Sequence, residues 1–398
     1  MSKTSLALGN VRSVVILLVI SFHSVLAYLS SQPASTFPFD TPPYGWKAFP
    51  ILDNERWFGF DLYCAFQYVF LMPFMFFLSG LFVWPSLSRK GARRYLTDRL
   101  LRLGLPFVLG VTLIMPIAHY PVYRVTAVDP SWSAYWAHFT ALPFWPSGPL
   151  WFLWQLLVLD IAAAALYRLE PRAGELLGQV SGAAGGRPGH YFLALLIASG
   201  LAYVPLALMF RPWEWAELGP FSFQTGRVLH YMVYFFSGVG VGALGLDRGL
   251  LRTDGMLSLR WARWLGGASV AFVLWLIATA LTLQPEPIAG TRLAADLAFV
   301  LSSASACVCF LAVFLRFAGK RWPLPLDSVG QNAYGMYLVH YLFAVWLQYM
   351  LLGTALFALL KGAIVFSGAS LLSWAVAAAL CRVPAGAQLI RGQTARAS

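Results

Sequence analysis

Charge is scarce in this chain. Asp, Glu, Lys and Arg together supply 11% of its 398 residues, against 59% hydrophobic ones. With a mean hydropathy of +0.67, a soluble globule is excluded, because too few polar side chains remain to cover one. Cysteine is scarce as well. The four thiols, Cys64, Cys307, Cys309 and Cys381, are scattered on or beside apolar stretches, where a thiol serves as a small hydrophobe rather than as half of a disulfide. Cys307 and Cys309 point to different faces of a helix, so no zinc motif is visible and no metal is expected. The first apolar stretch, Leu6 to Tyr28, is long enough to span a membrane and is followed by no clean small-residue cleavage site. It therefore reads as a retained helix and not as a signal peptide. No internal repeat and no separate soluble domain stand out.

What is present is an all-α, polytopic integral membrane protein. Apolar stretches long enough to cross about 30 Å of hydrocarbon lie near 7–29, 61–84, 100–121, 148–168, 190–210, 224–246, 262–283, 293–315, 329–352 and 355–380, about ten transmembrane helices. Pro73, Pro106 and Pro116 can kink the second and third, and Gly353 alone separates the last pair. Of the 28 Lys and Arg, 20 fall in one alternating set of connections and five in the other, with Arg12, Arg227 and Lys361 inside spans. This asymmetry places both termini in the cytoplasm. It also accounts for the formal charge of +12 without nucleic acid as a partner. Residues 1–383 form a single transmembrane domain, residues 170–189 a flexible cytoplasmic loop, and residues 384–398 a basic, disordered cytoplasmic tail. The outer loops are rich in proline and aromatics, among them Tyr44, Trp46, Trp57, Trp132, Trp136 and Trp145. Such rings form an interfacial belt in contact with membrane lipid, and would equally suit a carbohydrate surface.

Titratable groups at membrane depth mark pathways or reaction centres. Arg12 and His23 are separated by ten residues of the first span, a rise of about 16.5 Å with the side chains only roughly 20° apart around the helix axis. A cation near one surface and an imidazole deeper on the same wall suggest a channel that grips an anion at its mouth and does proton chemistry inside. The string RRYLTDRLLRLGLP sets Arg94, Arg99 and Arg102 on the cytoplasmic approach to the third span, and guanidinium forks suit phosphate. With Arg12 they would make a multi-arginine site for a polyanion. Secondary candidates are His340 in the ninth span, Asp61 and Asp160 as partners of imidazole or arginine, and His119, Arg227 and His230 toward the outer side. Gly240, Gly242 and Gly245 have the spacing of a dinucleotide loop. They end a membrane helix rather than follow a strand, so close helix packing is the better account.

The Arg, ten residues, His pattern, the strings MPFMFFLSGLF, RRYLTDRLLRLGLP, GPLWFLWQLLVLD and NAYGMYLVHYLF, and their order along nearly the whole chain resemble the membrane acyltransferase-3 family. Within it the chain looks most like the glucan biosynthesis protein C branch, which succinylates periplasmic glucans. The resemblance implies an acyltransferase of the bacterial inner membrane. Its donor would be acyl-coenzyme A, as acetyl-CoA or succinyl-CoA, and its acceptor a hydroxyl of an extracytoplasmic glycan or glycolipid. His23 and Arg12 would then be the catalytic pair, with His23 a general base or a transient acyl carrier. Arg12, Arg94, Arg99 and Arg102 would hold the coenzyme. The rival reading is a transporter or flippase, because intramembrane Arg, His and Asp also bind moving anions or relay protons. Neither reading sets an oligomeric state.

Overall fold

The computed structural model describes residues 2–183, 187–286, 288–384, 386 and 387; the expected tail from 388 onward lies outside them. All ten expected apolar stretches are helices: α1 (Lys3–Val25), α2 (Phe58–Gly80), α3 (Ala92–Thr126), α4 (Trp151–Leu169), α5 (Pro188–Met209), α6 (Val228–Leu244), α7 (Trp261–Thr282), α8 (Thr291–Phe317), α9 (Leu324–Met350) and α10 (Ala358–Leu380). Eight of the segments are long and apolar enough to cross a membrane by themselves. The other two are α6, 17 residues long, and α9, whose 27 residues include buried Asn332, His340 and Gln348. Both turn much of their surface to neighbouring helices, so neither has to satisfy lipid all round. Outside the helices the described residues form one antiparallel hairpin, β1 (Trp215–Leu218) and β2 (Phe221–Gln224), between α5 and α6.

Loop contacts sort the connections into the two sets that the basic residues define. On one side, Thr4 Oγ1 donates to Leu251 O at 3.2 Å, the Asn10 amide to Ala318 O at 2.7 Å, and Ser13 Oγ to Leu326 O at 2.9 Å. On the other, Lys47 pairs with Glu217 at 2.6 Å, Trp145 N–H donates to Gly219 O at 3.1 Å, and Arg292 donates to Phe210 O at 2.8 Å. The first group joins the basic connections and the second the proline- and aromatic-rich ones. The connection expected to be a flexible loop instead contains a helix, Ala173–Ala183. Gly174 lies under Trp84, and Gly178 and Gly182 lie against Leu244, so small residues let this helix dock where a loop composition suggested none.

Two local sequence features fix how the helices meet. The first is glycine: a Cβ at Gly80 would fall 2.1 Å from Phe235 O, at Gly238 2.1 Å from Phe77 O, and at Gly242 2.0 Å from Leu81 O. α2 and α6 thus touch backbone to backbone, and Gly240 meets Leu177 of the docked helix; the dinucleotide-like spacing is helix packing. The second is proline in α3, where Leu100–Gly104 and Gly110–Ile114 widen into π-helix shortly before Pro106 and Pro116. Proline lacks the N–H that an earlier carbonyl needs and its ring presses on the preceding turn. The freed carbonyls find partners elsewhere: Arg102 O accepts from the Tyr334 hydroxyl of α9, and Val111 O from Trp145 Nε1 at 2.8 Å. Proline therefore both loosens α3 around Arg102 and ties it to α9.

The sidedness is testable by reporter fusions. Fusions after Arg94 and Arg252 are expected to read cytoplasmic, and those within 44–47 or at Ser131 to read external; the opposite pattern at the first two would invert the protein.

Candidate active site

The site lies along the seam between α1 and α9. α1 ends at Val25 and tightens into a 3₁₀ turn over Leu26–Tyr28, which leaves the last helical carbonyls in need of donors. Gln348 of α9 supplies them, its amide donating to His23 O at 2.8 Å and Ser24 O at 3.1 Å. One and two turns earlier on the same face of α9 stand Ala344, fully buried, and His340; the small side chain allows the close approach that brings the two histidines together. His340 Nε2 lies 3.3 Å from His23 Nδ1.

Carbonyl oxygens only accept, and this settles the tautomers. His340 Nδ1 is 2.7 Å from Tyr337 O, and His23 Nδ1 is 2.8 Å from Val19 O. In the neutral state each Nδ1 must carry the hydrogen. His340 Nε2 then presents a lone pair to the same N–H of His23, and His23 Nε2 is left with a lone pair of its own and no hydrogen-bond partner among the described residues. Tyr341 stands edge-on to His23, with ring centroids 5.6 Å apart, and 5.8 Å from His119. His119, whose Nδ1 is 2.8 Å from Met115 O, meets Trp46 of the first outer loop at 5.4 Å. Trp46 is buried, stacked on Phe39 at 4.8 Å. A continuous row of rings therefore leads from the outer loop to His23.

Below the histidines three arginines gather. Arg12 lies over the Phe82 ring at 4.9 Å and within electrostatic reach of Arg102, which in turn feels Arg99. Arg99 Nε lies 3.3 Å from Asp160 Oδ2 and its guanidinium 4.9 Å from the centre of the Tyr95 ring, while the Tyr95 hydroxyl donates to Asp160 Oδ1 at 2.5 Å. The buried carboxylate of Asp160 thus pairs with Arg99 and, among the described residues, makes no ion pair with Arg12 or Arg102. Collecting like charges at membrane depth is costly unless an anion completes the set.

Comparison with known families matches residues 6–380 to the acyltransferase domain of the acyltransferase-3 family. The chain belongs to this family. It is a membrane acyltransferase, and the transporter reading falls away. No curated protein and no solved structure matches it.

The remaining candidates of this acyltransferase divide. Asp160 partners arginine, not imidazole. Asp61 accepts from Ser30 N–H at 2.7 Å and Ser31 N–H at 2.9 Å, so it clamps the start of the outer loop. Arg94 turns away from Arg12 and lines a surface pocket with Arg93, Tyr167 and Arg168. Arg227 is buried with its guanidinium 3.8 Å from the Tyr68 ring centre and 4.6 Å from that of Phe299, and His230 lies 3.4 Å from Ser303. These two belong to a separate cluster among α2, α5, α6 and α8. Sequence reasoning passed over Tyr334, Tyr341 and Gln348, although the four-residue spacing of His340, Ala344 and Gln348 was a signal for one shared face. It also gave no role to Lys361, which forms a buried ion pair with Asp53 at 2.8 Å and anchors the outer loop to α10.

Asp160→Ala strands Arg99 in a poorly solvated place and is expected to destabilise the protein by about 3 kcal/mol. Thermal unfolding of the detergent-purified variant measures this, and Asp160→Asn, which keeps an acceptor for Tyr95, should lose less.

Proposed function

We propose that the enzyme transfers an acyl group, acetyl or succinyl, from cytosolic acyl-coenzyme A to a hydroxyl of an extracytoplasmic glycan or glycolipid in the bacterial inner membrane. The observation that carries this reading is the free Nε2 of His23 on the same helix as Arg12, which α3 joins with Arg99 and Arg102. The axial rise from Arg12 to His23 is about 16.5 Å. The pantetheine arm of coenzyme A, about 13 bonds from sulfur to phosphorus, spans roughly 16 Å when extended. Phosphates held by Arg12, Arg99 and Arg102 would therefore bring the thioester to the imidazole. Bidentate guanidinium contacts favour such polyanions.

In the reaction, the acceptor hydroxyl oxygen attacks the thioester carbonyl carbon while His23 Nε2 takes the hydroxyl proton. The tetrahedral adduct collapses by breaking the carbon–sulfur bond, and the coenzyme thiolate recovers the proton from His23. The imidazolium formed in between keeps its Nδ1–H on Val19 O and His340 Nε2, and sits at the negative end of α1. His340 acts through His23 as a positioning residue. The base role is favoured because His23 Nε2 has no hydrogen-bond partner among the described residues and is free to take the acceptor's proton. The acceptor would approach along the row of outer aromatics, where His119 Nε2 offers a further acceptor for a sugar hydroxyl. Arg227, stacked in its own cluster, supplies no cation to the acyl group.

Two experiments test the reading. His23→Ala is expected to lower acyl transfer by about 10²–10⁴-fold while acyl-coenzyme A still binds. His340→Ala should cost about tenfold or more, with partial recovery in His340→Gln, whose amide oxygen can accept. A folded His23→Ala enzyme with normal turnover would exclude His23 as the base. For the donor, neutralising Arg12 or Arg102 should weaken acyl-coenzyme A binding by about 1.5–3 kcal/mol, and Arg12→Lys should recover only part because the planar fork is lost. Calorimetry measures this, and unchanged affinity in both variants would reject the phosphate site.

A further inference from the structure

The pocket that draws Arg94 away from the other arginines is a feature the acyl transfer leaves unused. It is open, has a volume of ≈ 600 Å³, and lies between the start of α3 and the end of α4, lined by Lys90, Arg93, Arg94, Thr97, Tyr167 and Arg168. Lys90 is paired with Asp98, whereas Arg93, Arg94 and Arg168, all exposed, have no ion-pair partner among the described residues.

Two observations together say what covers it. The backbone of Arg102 meets Tyr334 of α9, whereas the pocket opens between the start of α3 and the end of α4. Directly above it, the exposed side chains of both helices are apolar. Leu101, Leu105 and Val108 continue the Arg94 side of α3, and Val158, Ile161 and Ala165 run along α4 to Arg168. On each helix these residues recur at three- and four-residue intervals, which is one face. The result is a lipid-facing groove of hydrocarbon side chains that ends, at the cytoplasmic surface, in a cationic pocket.

We infer that this groove is a binding site for an anionic phospholipid, with its phosphate headgroup held by Arg93, Arg94 and Arg168 and its acyl chains lying along the apolar faces of α3 and α4. A zwitterionic headgroup would bring its own cation into a pocket that already has three, so selectivity for net negative charge follows. Each arginine near an anionic surface contributes enough to change affinity roughly fivefold. Because α3 also carries Arg99 and Arg102, the lipid would brace the helix that presents them.

The test is thermal unfolding of the full chain in detergent micelles doped with phosphatidylglycerol or phosphatidylcholine. Phosphatidylglycerol is expected to raise the midpoint more than phosphatidylcholine in the wild type, and the difference should shrink stepwise in Arg93→Gln, Arg94→Gln and Arg168→Gln and vanish in the triple variant. These side chains are exposed, so the single variants keep the test available if the triple variant folds poorly. An equal response to the two lipids in the wild type, or an undiminished preference in every variant, would overturn the proposal. Acyl-coenzyme A binding, compared with its dephospho form, is the second arm. Loss of discrimination between the two donors in the Arg variants would assign the pocket to the nucleotide phosphate and overturn the lipid site; unchanged discrimination supports it.

Discussion

The arrangement depends on a shared hydrogen, the Nδ1–H of His23 held between Val19 O and His340 Nε2. That contact requires α9 to lie close enough to α1 for two imidazoles to meet, and it is this approach that Ala344 permits and Gln348 anchors. The free Nε2 exists only because Nδ1 is committed. On α1 alone Val19 O would already set the tautomer, and His340 of α9 adds the second acceptor that holds the ring's direction.

The same economy governs the polar groups elsewhere in the bundle. In an apolar medium each backbone carbonyl that loses its helical partner must find another. Pro106 and Pro116 create such losses in α3, and Tyr334 and Trp145 answer them. The first of these links joins the segment carrying Arg99 and Arg102 to the helix carrying His340. The arginine cluster and the histidine seam are thereby parts of one connected framework, while the α2–α6 glycine contact and the Asp53–Lys361 pair hold the surrounding helices. Arg227 and His230 show the contrasting case, polar groups absorbed by aromatic stacking with no connection to His23.

Much of this was legible along the chain because it is local. Hydrophobic runs of spanning length reveal helices regardless of what packs on them, the unequal distribution of Lys and Arg orients them, and a helical repeat puts Arg12 and His23 on one wall. The hairpin was not legible, since eight residues of WAEL and FSFQ pair only across the Gly219 turn. Neither was the helix at Ala173–Ala183, whose glycines read as a loop until Trp84 and Leu244 are in place against them.

What the sequence by itself determined, then, is the membrane-embedded, all-helical class, the division of the connections into a basic and an aromatic-rich set, and the residue types available for chemistry, since each follows from composition and from periodicity within one segment. Pairing was decided only by the tertiary structure. His340 lies 317 residues from His23, and nothing local distinguishes it from a histidine that merely bonds its own helix. Likewise Arg94, Arg99 and Arg102 are equivalent in the string, but Asp160 holds Arg99 and the widened turn before Pro106 carries Arg102, while Arg94 stays exposed at a surface pocket. Direction around a helix axis has meaning only relative to the neighbours that surround it.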